Sequence, residues 1–169
     1  MEEVSLQEML AAREHRVALQ TRLLQQYKKS LISFTLNIPG PVKVPDGVPQ
    51  AFATGCRRIE ALLKDRLVLI QHMETIKEKT GYEAFYCIDA NPEFIKTLMV
   101  TLEDQDRLGR LFDIDVIRPD GSKVSREELD RPPRTCLLCK EPAHACSRSR
   151  RHSVAELTAE IGHILKDLY

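Results

Sequence analysis

Two aspartates stand two residues apart in the otherwise largely apolar stretch 109–117. The apolar positions predict a buried strand, and alternation along a strand places Asp113 and Asp115 on the same side of a sheet. Paired carboxylates repel each other unless cations neutralise them, and their oxygens suit Mg²⁺ or Mn²⁺. We therefore predict a phosphoryl or nucleotidyl transfer site in which both aspartates bind metal and Arg110 takes up phosphate charge. The alternative is an edge strand whose aspartates face water.

A second set of chemically active side chains lies near the C-terminus. Cys136 and Cys139 have the CxxC spacing of a zinc knuckle, and Cys146 and His152 complete a set of three thiolates and one imidazole. These four residues could hold a structural Zn²⁺ tetrahedrally. The later spacings match no standard zinc finger, so a redox-active CxxC pair and simply packed thiols stay open as alternatives.

Basic residues at two places are predicted to bind the phosphates of a substrate. Lys43 lies in the proline- and glycine-rich loop 39–47, whose stiff backbone can hold it against a ligand. Three arginines precede the last predicted helix, where free backbone N–H groups also attract anions; they are Arg148, Arg150 and Arg151. The alternative in both places is a solvated surface cation.

Periodicity and capping signals predict the elements that position these side chains. Helices are predicted for residues 5–29, 48–64, 91–104 and from 153 onward; the first and last open on the capping boxes Ser5-x-x-Glu8 and Ser153-x-x-Glu156, and Asn91-Pro92 starts the third. Strands are predicted for 31–38, 67–76, 82–88 and 109–117, and residues 122–124 are expected to fold back onto the last strand. The first strand alternates between an apolar face, with Ile32 and Phe34, and a polar face, with Ser33 and Thr35; the second and third are expected to form a hairpin around Thr80-Gly81.

Other charged residues lie near these elements. Glu103, Asp104 and Asp106 precede the two-aspartate strand, and Glu103 ranks first as a third carboxylate. The charged face of the first helix is interpreted as a solvated surface with no function; it comprises Arg13, Glu14, Arg16 and Arg22.

Composition limits the classes of function. The 169 residues are 43% hydrophobic and carry 25 basic and 25 acidic side chains, which suits one compact domain and gives no overall field for nucleic acid. Tryptophan is absent, so aromatic platforms for bases are scarce. No stretch resembles a signal peptide or a membrane span, and the five cysteines suggest reduced thiols. We expect a cytoplasmic protein that binds neither nucleic acid nor membrane.

Several stretches together resemble the CitX family, the apo-citrate lyase phosphoribosyl-dephospho-CoA transferases or holo-citrate lyase synthases. The similar stretches follow in the same order from Leu31 onward; they are Leu31-Ile32-Ser33-Phe34-Thr35, Pro39-Gly40-Pro41-Val42-Lys43, Leu108-Gly109-Arg110-Leu111-Phe112-Asp113-Ile114-Asp115-Val116, and Pro132-Pro133-Arg134-Thr135-Cys136-Leu137-Leu138-Cys139 with Cys146. His-Pro often precedes Leu-Gly-Arg in the family, whereas this chain has Asp106-Arg107. A role for that histidine as proton acceptor therefore does not carry over.

The resemblance implies a nucleotidyltransferase reaction. Its donor is 2'-(5''-triphosphoribosyl)-3'-dephospho-CoA, its acceptor is a serine of the citrate lyase acyl carrier protein (gamma subunit), and diphosphate is released. The implied fold is α/β (α+β), a single domain with a mixed β-sheet flanked by helices, similar to nucleotidyltransferases. The usual Gly-Ser turn upstream of the aspartates is not evident.

The chain is divided accordingly into three segments of one transferase domain, residues 1–169. Residues 1–30 form an N-terminal helix, 31–130 the α/β catalytic core, and 131–169 a cysteine-rich basic segment with a C-terminal helix. The alternative function is a non-catalytic adaptor stabilised by zinc, suggested by the cysteine set and the basic segment. An ordinary nucleic-acid nucleotidyltransferase is disfavoured by the neutral charge.

Overall fold

The first helix, α1, spans Leu6–Tyr27 in a computed structural model that describes residues 1–168. Ser5 accepts a hydrogen bond from the backbone N–H of Glu8, and the Glu8 side chain accepts one from Ser5, so the predicted capping box is present. Lys28 ends the helix in the left-handed conformation. Leu19 and Leu23 are buried and pack against one face of the sheet.

Four strands form one sheet in the order β2-β3-β1-β4. Their bounds are Ser30–Leu36 (β1), Leu69–Glu78 (β2), Gly81–Asp89 (β3) and Phe112–Ile117 (β4). The α/β fold class and the predicted hairpin of β2 and β3 are confirmed. Every pairing among the described strands is antiparallel, so the sheet is not mixed as the resemblance implied.

Alternation along the central strand β1 separates the two faces of the sheet. Ile32 and Phe34 enter the main core, whereas Ser33 and Thr35 point to the opposite face, where α1 lies. The Gln20 amide of α1 donates a hydrogen bond to the Ser33 hydroxyl over 3.0 Å. The predicted polar face of this strand is therefore partly covered by a helix.

Three further helices cover the apolar face. They are α2 (Val48–Asp65), α3 (Pro92–Asp104) and α5 (Val154–Lys166). Gly55 of α2 lies where any side chain would meet Phe34, because an added Cβ would be 2.3 Å from that ring. Tyr169, the last residue of the predicted C-terminal segment, lies outside the described residues.

The segment before the two aspartates differs from the prediction. Gly109–Leu111 forms a 3-10 turn, and the strand begins only at Phe112. Residues 122–124 also form no strand in the described chain, because only a single bridge joins Lys123 to Ile117. β4 pairs along its length with β1 instead, which makes it an edge strand.

Two buried side chains of α3 occupy the free edge of β4. The Lys96 ammonium donates to the Ile114 carbonyl over 2.9 Å, and the Glu103 carboxylate accepts from the Ile114 N–H over 2.9 Å. These bonds satisfy backbone groups that an edge strand would otherwise leave unpaired. They fix the residue that separates Asp113 from Asp115.

The C-terminal segment contains a short helix that the sequence analysis did not predict. This helix, α4, spans Ala143–Ser149, and the predicted capping box of Ser153 and Glu156 opens α5 after it. Ile161, Ile164 and Leu165 of α5 belong to the main core. No helix within residues 1–168 has the length and apolar character that crossing a membrane requires.

Candidate active site

Asp113 and Asp115 point to the same face of the sheet, as predicted. In register, Asp113 lies beside Thr35 and Asp115 beside Ser33 on β1. The same Thr35 pairs on its other side with Glu83 of β3, so Asp113 and Glu83 share one face and flank one residue. Adjacent strands are separated by about 4.8 Å, so the backbones that carry these carboxylates are about 10 Å apart.

The two aspartates have different surroundings. Part of the Asp113 side chain reaches solvent, yet dehydration by its neighbours raises the pKa of its carboxyl, and the charges of Asp115 and Glu103 raise it further. Asp115 is half-buried and accepts a hydrogen bond from the exposed Lys123 ammonium over 3.1 Å. Asp113 is therefore the carboxylate whose charge is less well compensated.

Asp113 opens into a polar recess of about 160 Å³ between α1 and the end of the sheet. Lys43, predicted to bind substrate, also lines it, with Glu83 and two arginines of the first helix, Arg13 and Arg16. The buried Glu83 carboxylate forms an ion pair with Arg16. The structure thus brings together three residues that the sequence analysis did not connect with the aspartates.

The acidic residues before β4 have other partners. Glu103, ranked first as a third carboxylate, is buried against the Ile114 N–H and accepts a bond from the Arg126 guanidinium over 2.8 Å. Asp106 accepts two bonds from Arg58, which lower the pKa of its carboxyl and keep it ionised. These contacts assign both side chains to holding the fold, and they do not support Glu103 as a third metal ligand.

A larger groove of about 680 Å³ lies beside the recess, and Asn37 lines both cavities. Arg110 lines the groove and donates to the carbonyls of Thr135 and Cys136, over 2.6 and 3.2 Å. Of the three arginines predicted to bind substrate, Arg150 lines the groove, whereas Arg148 and Arg151 are exposed and do not. Arg134, which sequence reasoning passed over, is a further cation in its wall.

The structure brings the four predicted zinc ligands together. One ligand atom from each of Cys136, Cys139, Cys146 and His152 lies within 4.8 Å of every other, a group compatible with a structural metal. The Sγ atoms of Cys139 and Cys146 are 3.4 Å apart, and the His152 Nε2 is 3.4 Å from the Cys139 Sγ. Bond lengths to a tetrahedral Zn²⁺ require ligand separations of about 3.5–3.8 Å, so these separations are close to the required values.

The surroundings of this cluster also suit a metal. Burial by itself raises the pKa of the Cys136 thiol, but hydrogen bonds to its Sγ outweigh burial and lower this pKa. One of these bonds is donated by the Leu138 N–H. Burial and the other two thiols raise the pKa of Cys146 to about 12, because buried, clustered thiolates are unfavourable unless a cation neutralises them. The second ring nitrogen of His152 faces the Glu156 carboxylate at 3.8 Å, and a carboxylate commonly orients a metal-binding histidine in this way.

Comparison with known proteins shows the family of this chain. Residues 4–168 match the family model CitX, described as apo-citrate lyase phosphoribosyl-dephospho-CoA transferase. The chain belongs to the CitX family. A Vibrio cholerae protein named as a probable transferase of this kind is 39% identical over 97% of this chain and 93% of its own length. An Escherichia coli transferase is 34% identical over 98% of this chain and 90% of its own length. The resemblance stated from the motifs is thereby confirmed.

Proposed function

We propose that this protein transfers phosphoribosyl-dephospho-CoA from 2'-(5''-triphosphoribosyl)-3'-dephospho-CoA to a serine of the citrate lyase acyl carrier protein, its gamma subunit. The serine oxygen bonds to the phosphorus nearest the ribose, the bond from that phosphorus to the bridging oxygen breaks, and diphosphate leaves with that oxygen. The serine proton passes to a base or to water. Membership of the CitX family supports the reaction, and the observation that carries the site is the Asp113 carboxylate opening into a recess lined with cations.

Asp113 and Asp115 fit a divalent cation. They offer only oxygen donors, they share one face of β4, and within residues 1–168 Asp113 forms no ion pair, whereas Asp115 pairs with Lys123. Bound there, Mg²⁺ or Mn²⁺ would neutralise negative charge on the attacking serine oxygen and on the oxygen that leaves with diphosphate. Asp115 would release Lys123 to bind the metal, and this would change the stability little because the ion pair is exposed.

The groove suits the dephospho-CoA portion of the donor. Its volume of about 680 Å³ lies within the range of pockets that hold nucleotide-sized ligands. Arg150 and Arg110 supply charge for the CoA phosphates, and Arg110 also ties the groove wall to the start of β4. Arg148 and Arg151 stand outside the groove and are assigned to phosphates or carrier protein at its rim.

The cysteine cluster is assigned to Zn²⁺. Three thiolates and one imidazole in a closed, largely buried set are typical of a structural zinc site. The metal would hold the segment that carries Arg134 and Arg150 against the rest of the fold. The zinc-stabilised adaptor considered as the alternative function is not favoured, because the family consists of transferases and zinc is compatible with an enzyme.

The cytoplasm suits this chemistry, because reduced thiols are required to bind zinc. No nucleic acid is needed as substrate or partner in the reaction proposed. The expected partners are the carrier protein and the triphosphoribosyl donor.

Diphosphate release tests the proposal. The zinc-loaded protein, dialysed free of Mg²⁺ and Mn²⁺, is mixed with donor and apo carrier protein while MgCl₂ is titrated. We expect release that depends on Mg²⁺ and on the acceptor serine, that is lost in Asp113→Asn, and that is kept in the matched surface variant Asp89→Asn. Release by Asp113→Asn at the wild-type rate would overturn the role given to the recess.

A further inference from the structure

The polar recess beside Asp113 contains a group of cations that the two-aspartate motif does not explain. It lies between the first helix and the end of β1, and its volume of about 160 Å³ is below the roughly 300–1,000 Å³ typical of pockets for larger organic ligands. A compact ion fits this space better than a nucleoside does. The cations Arg13, Arg16 and Lys43 line it.

Two of these cations are held in place by other groups. Arg16 is paired with the buried carboxylate of Glu83. The Lys43 ammonium donates to the Ile38 carbonyl over 2.8 Å, and both residues line the recess. Burial lowers the pKa of Lys43, and the nearby positive charge of Arg13 lowers it further.

Arg13 is the least constrained member of the group. Within residues 1–168 its guanidinium takes part in no hydrogen bond and no ion pair. By contrast, Arg16 pairs with Glu83, and Arg22, further along the same helix, pairs with Glu74. Arg13 and Arg16 are three residues apart and so project from one side of α1 toward the recess.

The charges favour an anion. Three cations line the recess against two carboxylates, and one of those, Glu83, is already neutralised by Arg16. A divalent cation on Asp113 would add to the positive side. Guanidinium groups bind phosphate oxygens in two-point contacts, which a short polyphosphate offers repeatedly.

We infer that this recess binds diphosphate, holding the terminal two phosphates of the donor before transfer and the leaving group after it. Arg13 and Lys43 bind the phosphate oxygens, and Glu83 positions Arg16 to complete the contact. The inference rests on the proposed function for the identity of its ligand. Together the recess and the groove that meets it at Asn37 accommodate the two ends of one donor.

Isothermal titration calorimetry with sodium diphosphate in MgCl₂, without donor or carrier protein, tests this inference. Loss of one charged hydrogen-bond partner is worth roughly a 10- to 150-fold change in affinity. We expect Arg13→Gln and Lys43→Gln to weaken diphosphate binding by that amount. Arg22→Gln, on the same helix but paired at the surface, should bind as the wild type does. At Arg16 the variant used is Arg16→Lys, which keeps a positive charge beside the buried Glu83 so that the protein still folds.

Each outcome decides the inference. No diphosphate binding by the wild type, or binding that Arg13→Gln and Lys43→Gln leave unchanged, would overturn it. An equal loss in Arg22→Gln would also overturn it, because the effect would then be one of overall charge. Diphosphate binding that depends on the recess, without any transfer to the carrier protein, would support the anion site and refute the proposed function alone.

Discussion

Glu103 is assigned to the fold rather than to the chemistry, and its removal tests that assignment. Its carboxylate is 2% exposed and accepts bonds from the Ile114 N–H and from Arg126, with Arg134 at 3.6 Å. Breaking a buried ion pair by removing one partner costs about 3–5 kcal/mol in the free energy of unfolding. Since the whole stability of a domain is about 5–15 kcal/mol, Glu103→Ala should be strongly destabilising.

The melting temperature measures this loss. For a chain of this size, 1 kcal/mol shifts it by about 2–4 °C, so Glu103→Ala should lower it by roughly 6–20 °C. Asp104→Ala is the matched control: this neighbour also binds Arg126, but it is exposed and should cost below about 1 kcal/mol. Glu103→Gln, which keeps an acceptor for the Ile114 N–H, should fall between them.

A different pattern would refute the assignment. If Glu103→Ala melted at the wild-type temperature and yet lost metal-dependent activity, Glu103 would act at the site, as the sequence analysis ranked it. Equal decreases in melting temperature in Glu103→Ala and Asp104→Ala would show that burial of the Glu103 carboxylate does not account for the loss of stability.

Three further changes have defined outcomes. Because the pKa of Asp113 is raised, its ionisation destabilises the fold; this destabilisation is fully present above the folded pKa and absent below the unfolded value near 4. Asp113→Asn should therefore raise the melting temperature of the Mg²⁺-free protein at pH 7 but not at pH 3. An equal gain at both pH values would contradict this. Cys139→Ser should lose zinc in elemental analysis while Cys56→Ala keeps it, and equal zinc in both would refute the assigned site. Gly55→Ala should lower the free energy of unfolding by about 1–3 kcal/mol, because its Cβ would clash with Phe34. Gly162→Ala, which has open space around it, should not lower it. Denaturant titration that found the same free energy of unfolding in wild type and both variants would contradict the packing described.

Local patterns in the sequence were sufficient for much of the fold. The Ser5 capping box, the alternation through Ile32 and Phe34, and the Asn91 cap of α3 each depend on neighbours only a few residues away. The same reasoning placed Asp113 and Asp115 on one face, because side-chain direction within a strand needs no knowledge of its partners. The zinc ligands were found because thiol and imidazole spacing is itself informative.

The missed residues depend on contacts between distant segments. Arg13 and Arg16 looked like an ordinary solvated helix face, and only the packing of α1 across the end of the sheet brings them to Asp113. Glu83 has no motif, and its place opposite Thr35 follows from strand register, which the sequence does not specify. The contact of Glu103 with the Ile114 N–H also could not be predicted, because a backbone N–H carries no sequence signal. The charged face of α1 contains several arginines, but no local pattern distinguishes arginines that line a recess from arginines that face solvent.

Intact-mass spectrometry of the apo carrier protein tests the central claim most directly. The carrier is incubated with this protein, MgCl₂ and the triphosphoribosyl donor, with Asp113→Asn in parallel. The account predicts a mass gain equal to the donor less diphosphate, accounting for the serine proton, with wild-type protein and none with the variant. An unmodified carrier in the presence of well-folded wild-type protein, or an equal gain with Asp113→Asn, would contradict it.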